Sequence, residues 1–299
     1  MKGIKTVAIV GAGTMGRRIG FQCIIKGVKV RLFDIQPEAA QEAIKAIRRL
    51  IEEREADGRL EKGTLDAALA LLSISPTLPD CVSGADMVIE NVPEKVELKR
   101  NVFSEIDRYV GSDTLLCTNT SSIAGSQIAD ATKRPEKFLN FNWGKPDDVR
   151  VEVMGHPRTA PETIAAVMVF LKKLGIIPLQ VKREIMGYCC NRIWRAVKKE
   201  VLFLVAGGYM SPEDIDRGWM LEWETELGPC GAMDYIGLDV IGDIEMNYFK
   251  ASGDPSDRPP QFLQEMIAQG KLGMKTGEGF YKYPHPAYRR PGWLKGENK

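Results

Sequence analysis

The sequence predicts an α/β fold: a doubly wound parallel sheet over residues 1–183, followed by an all-helical domain over residues 184–299. Three observations predict it. Short continuous apolar runs, as strands buried on both faces require, alternate with helix-period segments as far as residue 181. Beyond Lys182–Gly187 those runs stop, and apolar residues recur at helical spacing. The 299 residues, 44% hydrophobic and 27% charged, have the size and balance of a two-domain globular protein that fills its own cores.

Each element follows in order. Thr6–Val10 is a buried strand; a helix runs from Thr14 to Lys26, where Gly27 stops it. Lys29–Phe33 is the next strand, ending at Asp34, and Pro37 occupies the first turn of a long helix reaching Glu55. Residues 56–75 read as a helical arm. Strands follow at Asp86–Glu90, Thr114–Thr118, Phe138–Phe141, Val149–Val153 and Ile176–Val181, with helices at Lys95–Tyr109 and Pro161–Leu174. This alternation implies parallel strands with helices on both faces. In the second domain Ile193, Val197, Val201 and Leu204 mark a helix over Asn191–Val205, and Ser211-Pro-Glu-Asp is a capped helix start. Further helices fit residues 231–251 and 259–269, and the tail after Tyr283 reads as an extended surface segment.

Lys and Arg total 41 against 40 Asp and Glu. That balance supplies no global field for nucleic acid or an acidic membrane, and neither is an expected partner. Six scattered cysteines, no CxxC and two histidines argue against a structural metal site. Cys23, Cys81, Cys117, Cys189 and Cys230 read as core residues, and Cys190 as core or site wall. The chain opens directly on a strand, and its apolar runs fall short of the ~20 residues of a membrane span. A reducing cytoplasm is the expected compartment.

Gly11-Ala-Gly13-Thr14-Met15-Gly16 joins a buried strand to a helix. The first glycine makes the tight turn, the second admits a pyrophosphate against the backbone, and the third lets helix pack on strand. Asp34, at the end of the second strand, would accept hydrogen bonds from ribose hydroxyls and repel a 2′-phosphate. Ile35 and Gln36 follow, with no arginine to receive that phosphate. The pattern is a Rossmann-type dinucleotide site, with NAD as its cofactor.

With these motifs in one order the chain resembles the L-3-hydroxyacyl-CoA dehydrogenase family. The marks are VGAGTMG, Ala85–Asn91, Thr118–Ser122, Val151–Val153, Cys190–Arg192, SPEDID at 211–216, IGLD at 236–239 and Leu272–Tyr281. The resemblance implies a helical C-terminal domain that forms a homodimer and a site in the cleft between the domains. It further implies that Glu94 and Lys99 line the NAD site and that Lys275 reaches the cofactor. Ser121 and Asn191 would bond the reacting oxygen, and Glu152 would orient the catalytic base. The implied substrate is a 3-hydroxyacyl-CoA or a small 3-hydroxy acid.

One segment departs from the family pattern. The family's base is a histidine in an HFFNP-like stretch; counted from Ser121, the matching stretch is Asn142-Trp-Gly-Lys-Pro146. Asn142 therefore stands at the histidine position and Lys145 at that of a cofactor-facing asparagine. Oxidising a secondary alcohol needs an acceptor for the hydroxyl proton, and imidazole suits that role. An amide holds the oxygen but does not take the proton. Three readings stand: a disabled dehydrogenase site; a different base, Lys145 or Glu152; or an NAD-using enzyme without net redox, such as a lyase. A non-catalytic NAD-binding protein is the outlying alternative. His156, in a surface turn after the Glu152 strand, and His285, in the tail, read as non-catalytic.

Overall fold

The structure, a computed structural model, describes residues 3–144 and 149–297. The chain divides into two compact units, Met1–Cys189 and Cys190–Lys299.

The first unit contains β1 (Thr6–Val10), α1 (Thr14–Ile24), β2 (Lys29–Phe33), α2 (Pro37–Ala56), α3 (Thr64–Leu69), β3 (Leu72–Ile74), α4 (Leu78–Val82), β4 (Met87–Glu90), α5 (Val96–Ile106), β5 (Leu115–Asn119), β6 (Phe138–Trp143), β7 (Arg150–Gly155), α6 (Pro161–Lys173) and β8 (Ile177–Val181). The eight strands form one sheet in the order β3-β2-β1-β4-β5-β6-β7-β8. Neighbours run parallel except β6 and β7, which pair antiparallel. β1 lies between β2 and β4, so the winding reverses at its carboxyl end, where ligands of such sheets bind. Period-2 alternation divides the core. Val7 and Ile9 face α1 and α2, in a cluster with Ile19, Ile47 and Ile51. Ala8 and Val10 face the other side, with Cys81, Phe103 and Ile106. This is the Rossmann-type doubly wound sheet, with helices on both faces.

Two details differ from expectation. Part of the expected helical arm, Leu72–Ile74, is an edge strand paired to β2; three residues are too few to show a period. The sheet is mixed, because residues 144–149 between β6 and β7 are too few for the crossover a parallel pair needs.

The second unit is helical. α7 (Tyr188–Ala206) leads into it, followed by α8 (Pro212–Trp223), α9 (Pro229–Ile236), α10 (Leu238–Ser252) and α11 (Gln261–Ala268). Ser211 caps α8, its hydroxyl accepting from the Asp214 N–H at 3.1 Å. The single helix expected over 231–251 is two, because Gly237 adopts φ 106°, a conformation that breaks a right-handed helix. The tail is packed, not an exposed extended segment: Trp293 is 2% exposed, Tyr288 is buried, and Arg217 donates to the Trp293 carbonyl at 3.0 Å. Buried Asp216 accepts the Cys230 and Gly231 N–H groups and the Tyr281 hydroxyl, which ties α8, the start of α9 and the segment just before the tail together. Among the described residues no helix is long and apolar enough to cross a membrane.

Candidate active site

The turn after β1 is built for a diphosphate. Gly11 has φ +102°, and a Cβ there would lie 2.7 Å from the Asn91 carbonyl oxygen. A Cβ on Gly16 would fall 1.9 Å from the Gly11 carbonyl oxygen. At Gly13 nothing lies within 4 Å of such a Cβ, so that side of the turn is open. α1 starts at Thr14 without a side-chain cap, leaving its first N–H groups for an anion. Thr14 Oγ accepts from Arg17 at 3.3 Å, and Met15 packs on the core. Asp34 is anchored beside the turn: one oxygen accepts the Ala12 N–H at 2.7 Å and the other the Gln36 N–H at 3.0 Å. An open turn, uncapped N–H groups and a fixed carboxylate fit the pyrophosphate and ribose of NAD.

A second polar cluster lies at the carboxyl ends of β4 and β5. Glu94 Oε1 accepts from the hydroxyls of Thr120 and Ser122 and from the N–H groups of Ser121 and Ser122. Burial opposes the ionised form of Glu94, but these donors and the charge of Lys99 outweigh it and hold the carboxyl below its usual range. Ser121 itself is exposed. Lys99 is 0% exposed. Its ammonium donates to both oxygens of Glu90 at 2.8 and 3.0 Å and to the Val92 carbonyl at 3.3 Å, and lies 3.5 Å from Glu94 Oε2. Asn119 donates to Asn91 at 3.0 Å and accepts the Trp143 N–H at 3.2 Å.

The third group is the β6–β7 pair. Asn142 and Glu152 are direct partners across the antiparallel strands, where opposed side chains meet. Asn142 Nδ2 donates to Glu152 Oε2 at 2.8 Å. A carboxylate only accepts, so the amide nitrogen must face it. Glu152 Oε1 accepts the Cys189 N–H at 2.9 Å, at the start of α7, where the positive end of the helix dipole favours an anion. Glu152 is 1% exposed, so the strand alternation turns it inward. Tyr188 (φ 51°) is buried beneath, its hydroxyl donating to the Phe141 carbonyl at 2.8 Å.

Asn191 and Lys275 belong to the second unit. Asn191 is exposed on α7, and Lys275 holds both oxygens of Asp239 at 2.6 Å. Lys145 lies outside the described residues. Two readings are corrected. Cys189 is exposed rather than core, because it stands at a helix start. His156 is buried: its Nε2–H donates to the Pro135 carbonyl at 2.8 Å and its Nδ1 accepts the Arg158 N–H at 3.4 Å, so it serves a turn. Sequence reasoning missed Glu90, Asn91 and Asn119. Glu90 ends an otherwise apolar strand and lies within the Ala85–Asn91 mark, the two signals that point to it. Among the described residues no cluster of His, Cys, Asp or Glu could hold a metal.

A family model described as 3-hydroxyacyl-CoA dehydrogenase, NAD binding domain, matches residues 6–185. One described as 3-hydroxyacyl-CoA dehydrogenase, C-terminal domain, matches residues 187–283. The chain belongs to the 3-hydroxyacyl-CoA dehydrogenase family. It is an NAD-dependent oxidoreductase acting on a CH–OH group. The (S)-3-hydroxybutyryl-CoA dehydrogenase of Ralstonia eutropha has a similar structure, with a TM-score of 0.84 at 33% identity over 94% of this chain and 100% of that one. The 5-formyl-3-hydroxy-2-methylpyridine 4-carboxylate 5-dehydrogenase of Mesorhizobium japonicum is 30% identical over 285 residues, 94% of this chain and 91% of its own. A solved enzyme of that activity, described as an NAD+ dependent dismutase, has a TM-score of 0.72 at 29% identity, over 98% of this chain and 93% of that one.

Proposed function

We propose that this dehydrogenase transfers hydride between NAD and a 3-hydroxy acid or 3-hydroxyacyl-CoA at a site whose general base is disabled at position 142. The observation that carries the reading is the 2.8 Å bond from the Asn142 amide to buried Glu152. The amide is oriented by the carboxylate as an imidazole would be, yet it has no titrating nitrogen. Glu152 Oε2 accepts from the Asn142 amide and Oε1 from the Cys189 N–H, which supports a role in orienting Asn142. Bound NAD supplies the hydride acceptor. Asn142 and Ser121 hold the alcohol oxygen, and its proton leaves to water. Asp34, the glycine turn and Glu94 bind the cofactor, and Lys99 acts through Glu94. Asn191 and Lys275 keep the roles the resemblance implies.

The test is Asn142→His, assayed by NADH formation on 3-hydroxy acids, free and CoA-linked. Restoring a positioned base raises the turnover rate by roughly 10²–10⁴. A fall in activity overturns the reading. The relative described as a dismutase favours one second reading, a reaction without net redox. It predicts product without accumulating NADH; stoichiometric NADH eliminates it. NADH binding without turnover, even after Asn142→His, would leave only a nucleotide-binding role.

Cations on α2 and just after it would be the partners of CoA phosphates, but they are partly matched by their own neighbours, Lys45 by Glu42 at 2.7 Å and Arg59 by Asp57 at 2.5 Å, so the screen covers both substrate classes. We also propose a homodimer through the second unit. Ile193, Phe203, Tyr209, Leu221 and Trp223 are all more than half exposed there, and a second copy covering them would take apolar side chains out of water. Sedimentation at micromolar concentration reads the state. Six free cysteines favour a reducing cytoplasm.

A further inference from the structure

We propose that Glu90 is a positioning residue of the cofactor site, acting through Lys99 on Glu94. The inference rests on the reading that Glu94 faces the bound nucleotide.

The geometry is a line of alternating charge running outward from the sheet. Glu90 is 0% exposed at the end of β4. Oε1 accepts the Val92 N–H at 2.5 Å, Oε2 accepts the Thr118 hydroxyl at 2.6 Å, and both accept from Lys99. These bonds fix the carboxylate from β4, β5 and α5 at once. They also fix the Lys99 ammonium, which is 0% exposed and has Glu94 Oε2 at 3.5 Å on its other side. Glu94 is the outermost member, with its side chain 37% exposed. Its Oε1 gathers the hydroxyls and N–H groups of residues 120–122. Every link is a charged or charge-assisted bond, so a shift at Glu90 is passed outward to the 120–122 turn.

A buried ion pair is a poor way to stabilise a core, since apolar residues of similar volume serve as well or better. What the Glu90–Lys99 pair supplies is orientation. Without Glu90, Lys99 would have Glu94 as its remaining carboxylate and would draw it inward, away from Ser121 and Ser122. Glu94 would then be displaced from the position in which it meets the cofactor.

The experiment is a double-mutant cycle on NADH affinity, read by fluorescence titration and calorimetry with melting temperature recorded for each variant. Glu90→Gln keeps the size and removes the charge. It is expected to raise the NADH dissociation constant about tenfold, equivalent to ~1.4 kcal/mol, and to raise KM for NAD more than it lowers kcat. In a Glu94→Gln background the same change should add less than twofold, because the effect runs through Glu94. Val88→Ala, a core truncation on the same strand, should lower the melting temperature and leave NADH affinity within twofold. If Glu90→Gln does not fold, Glu90→Asp, which keeps the charge but shortens its reach, should show a smaller rise that also vanishes with Glu94→Gln. Unchanged NADH affinity, or additive effects of the two substitutions, overturns the proposal. A wild-type protein that fails to bind NADH overturns the functional reading instead, which separates the two failures.

Discussion

At the end of β1 the backbone forms the candidate site, and at the β6–β7 pair side chains form it. Around Gly11, Gly13 and Gly16 the requirement is empty space and free N–H groups, and the Asn91 and Gly11 carbonyls stand where a Cβ on Gly11 or Gly16 would go. At Asn142 and Glu152 the strands fix only where two side chains meet; what they do depends on which groups they carry. A backbone device tolerates almost no substitution, since its geometry is its chemistry. A side-chain device keeps its shape when one member is exchanged and loses only the proton chemistry. Under the proposed reading, that difference lets a chain keep its glycine turn while the group at position 142 is exchanged.

The comparison can be broken most severely at the turn. Gly16→Ala places a methyl group 1.9 Å from a backbone oxygen, and overpacking of that kind costs about 3 kcal/mol or more. NADH titration should show no saturable binding, or thermal melting a lowered transition. Normal affinity and stability would mean the turn does not need a glycine there.

Glu152→Gln sharpens the other side. With Asn142 in place there is no imidazolium to stabilise, so kcat should change by about threefold or less. In the Asn142→His background the same substitution should cost tenfold or more, because the carboxylate would then hold a charged partner through a hydrogen bond worth ~1.5–3 kcal/mol. Equal effects in both backgrounds, measured by steady-state NADH formation, would show that Glu152 serves packing alone.

The smallest effect lies away from both regions. Burial lowers the pKa of His156, and Arg158 adds to that, against the Pro135 carbonyl and Glu184. A base whose folded pKa is depressed binds its proton more readily when unfolded. Its contribution is therefore complete above the unfolded value of ~6.5 and declines as pH falls below it. Melting temperature should drop below that pH, and His156→Gln should flatten the drop by a degree or two. An unchanged slope would mean the ring is not held neutral.

How much was legible beforehand follows the same division. The glycine turn and Asp34 could be read directly, because each residue there acts on its own local backbone. Strand-helix alternation gave the doubly wound sheet, since burial on both faces leaves a continuous apolar run. The edge strand at Leu72–Ile74 was hidden, being too short to carry a period. The break at Gly237 was hidden because glycine within a helix pattern does not announce its φ. The buried tail was hidden because Tyr288 and Trp293 sit among prolines, glycines and charges that read as surface.

The sequence by itself determined the strand-helix alternation of the first unit, the nucleotide turn and the absence of a histidine at position 142, all matters of residue type and near-neighbour spacing. Only the tertiary structure decided that Asn142 bonds Glu152, that Glu152 points inward and accepts from the start of α7, and that Glu90 and Lys99 lie behind Glu94. Those contacts join strands and helices 5 to 37 positions apart. Strand pairing and register, set by packing over the whole sheet, bring them within hydrogen-bonding reach.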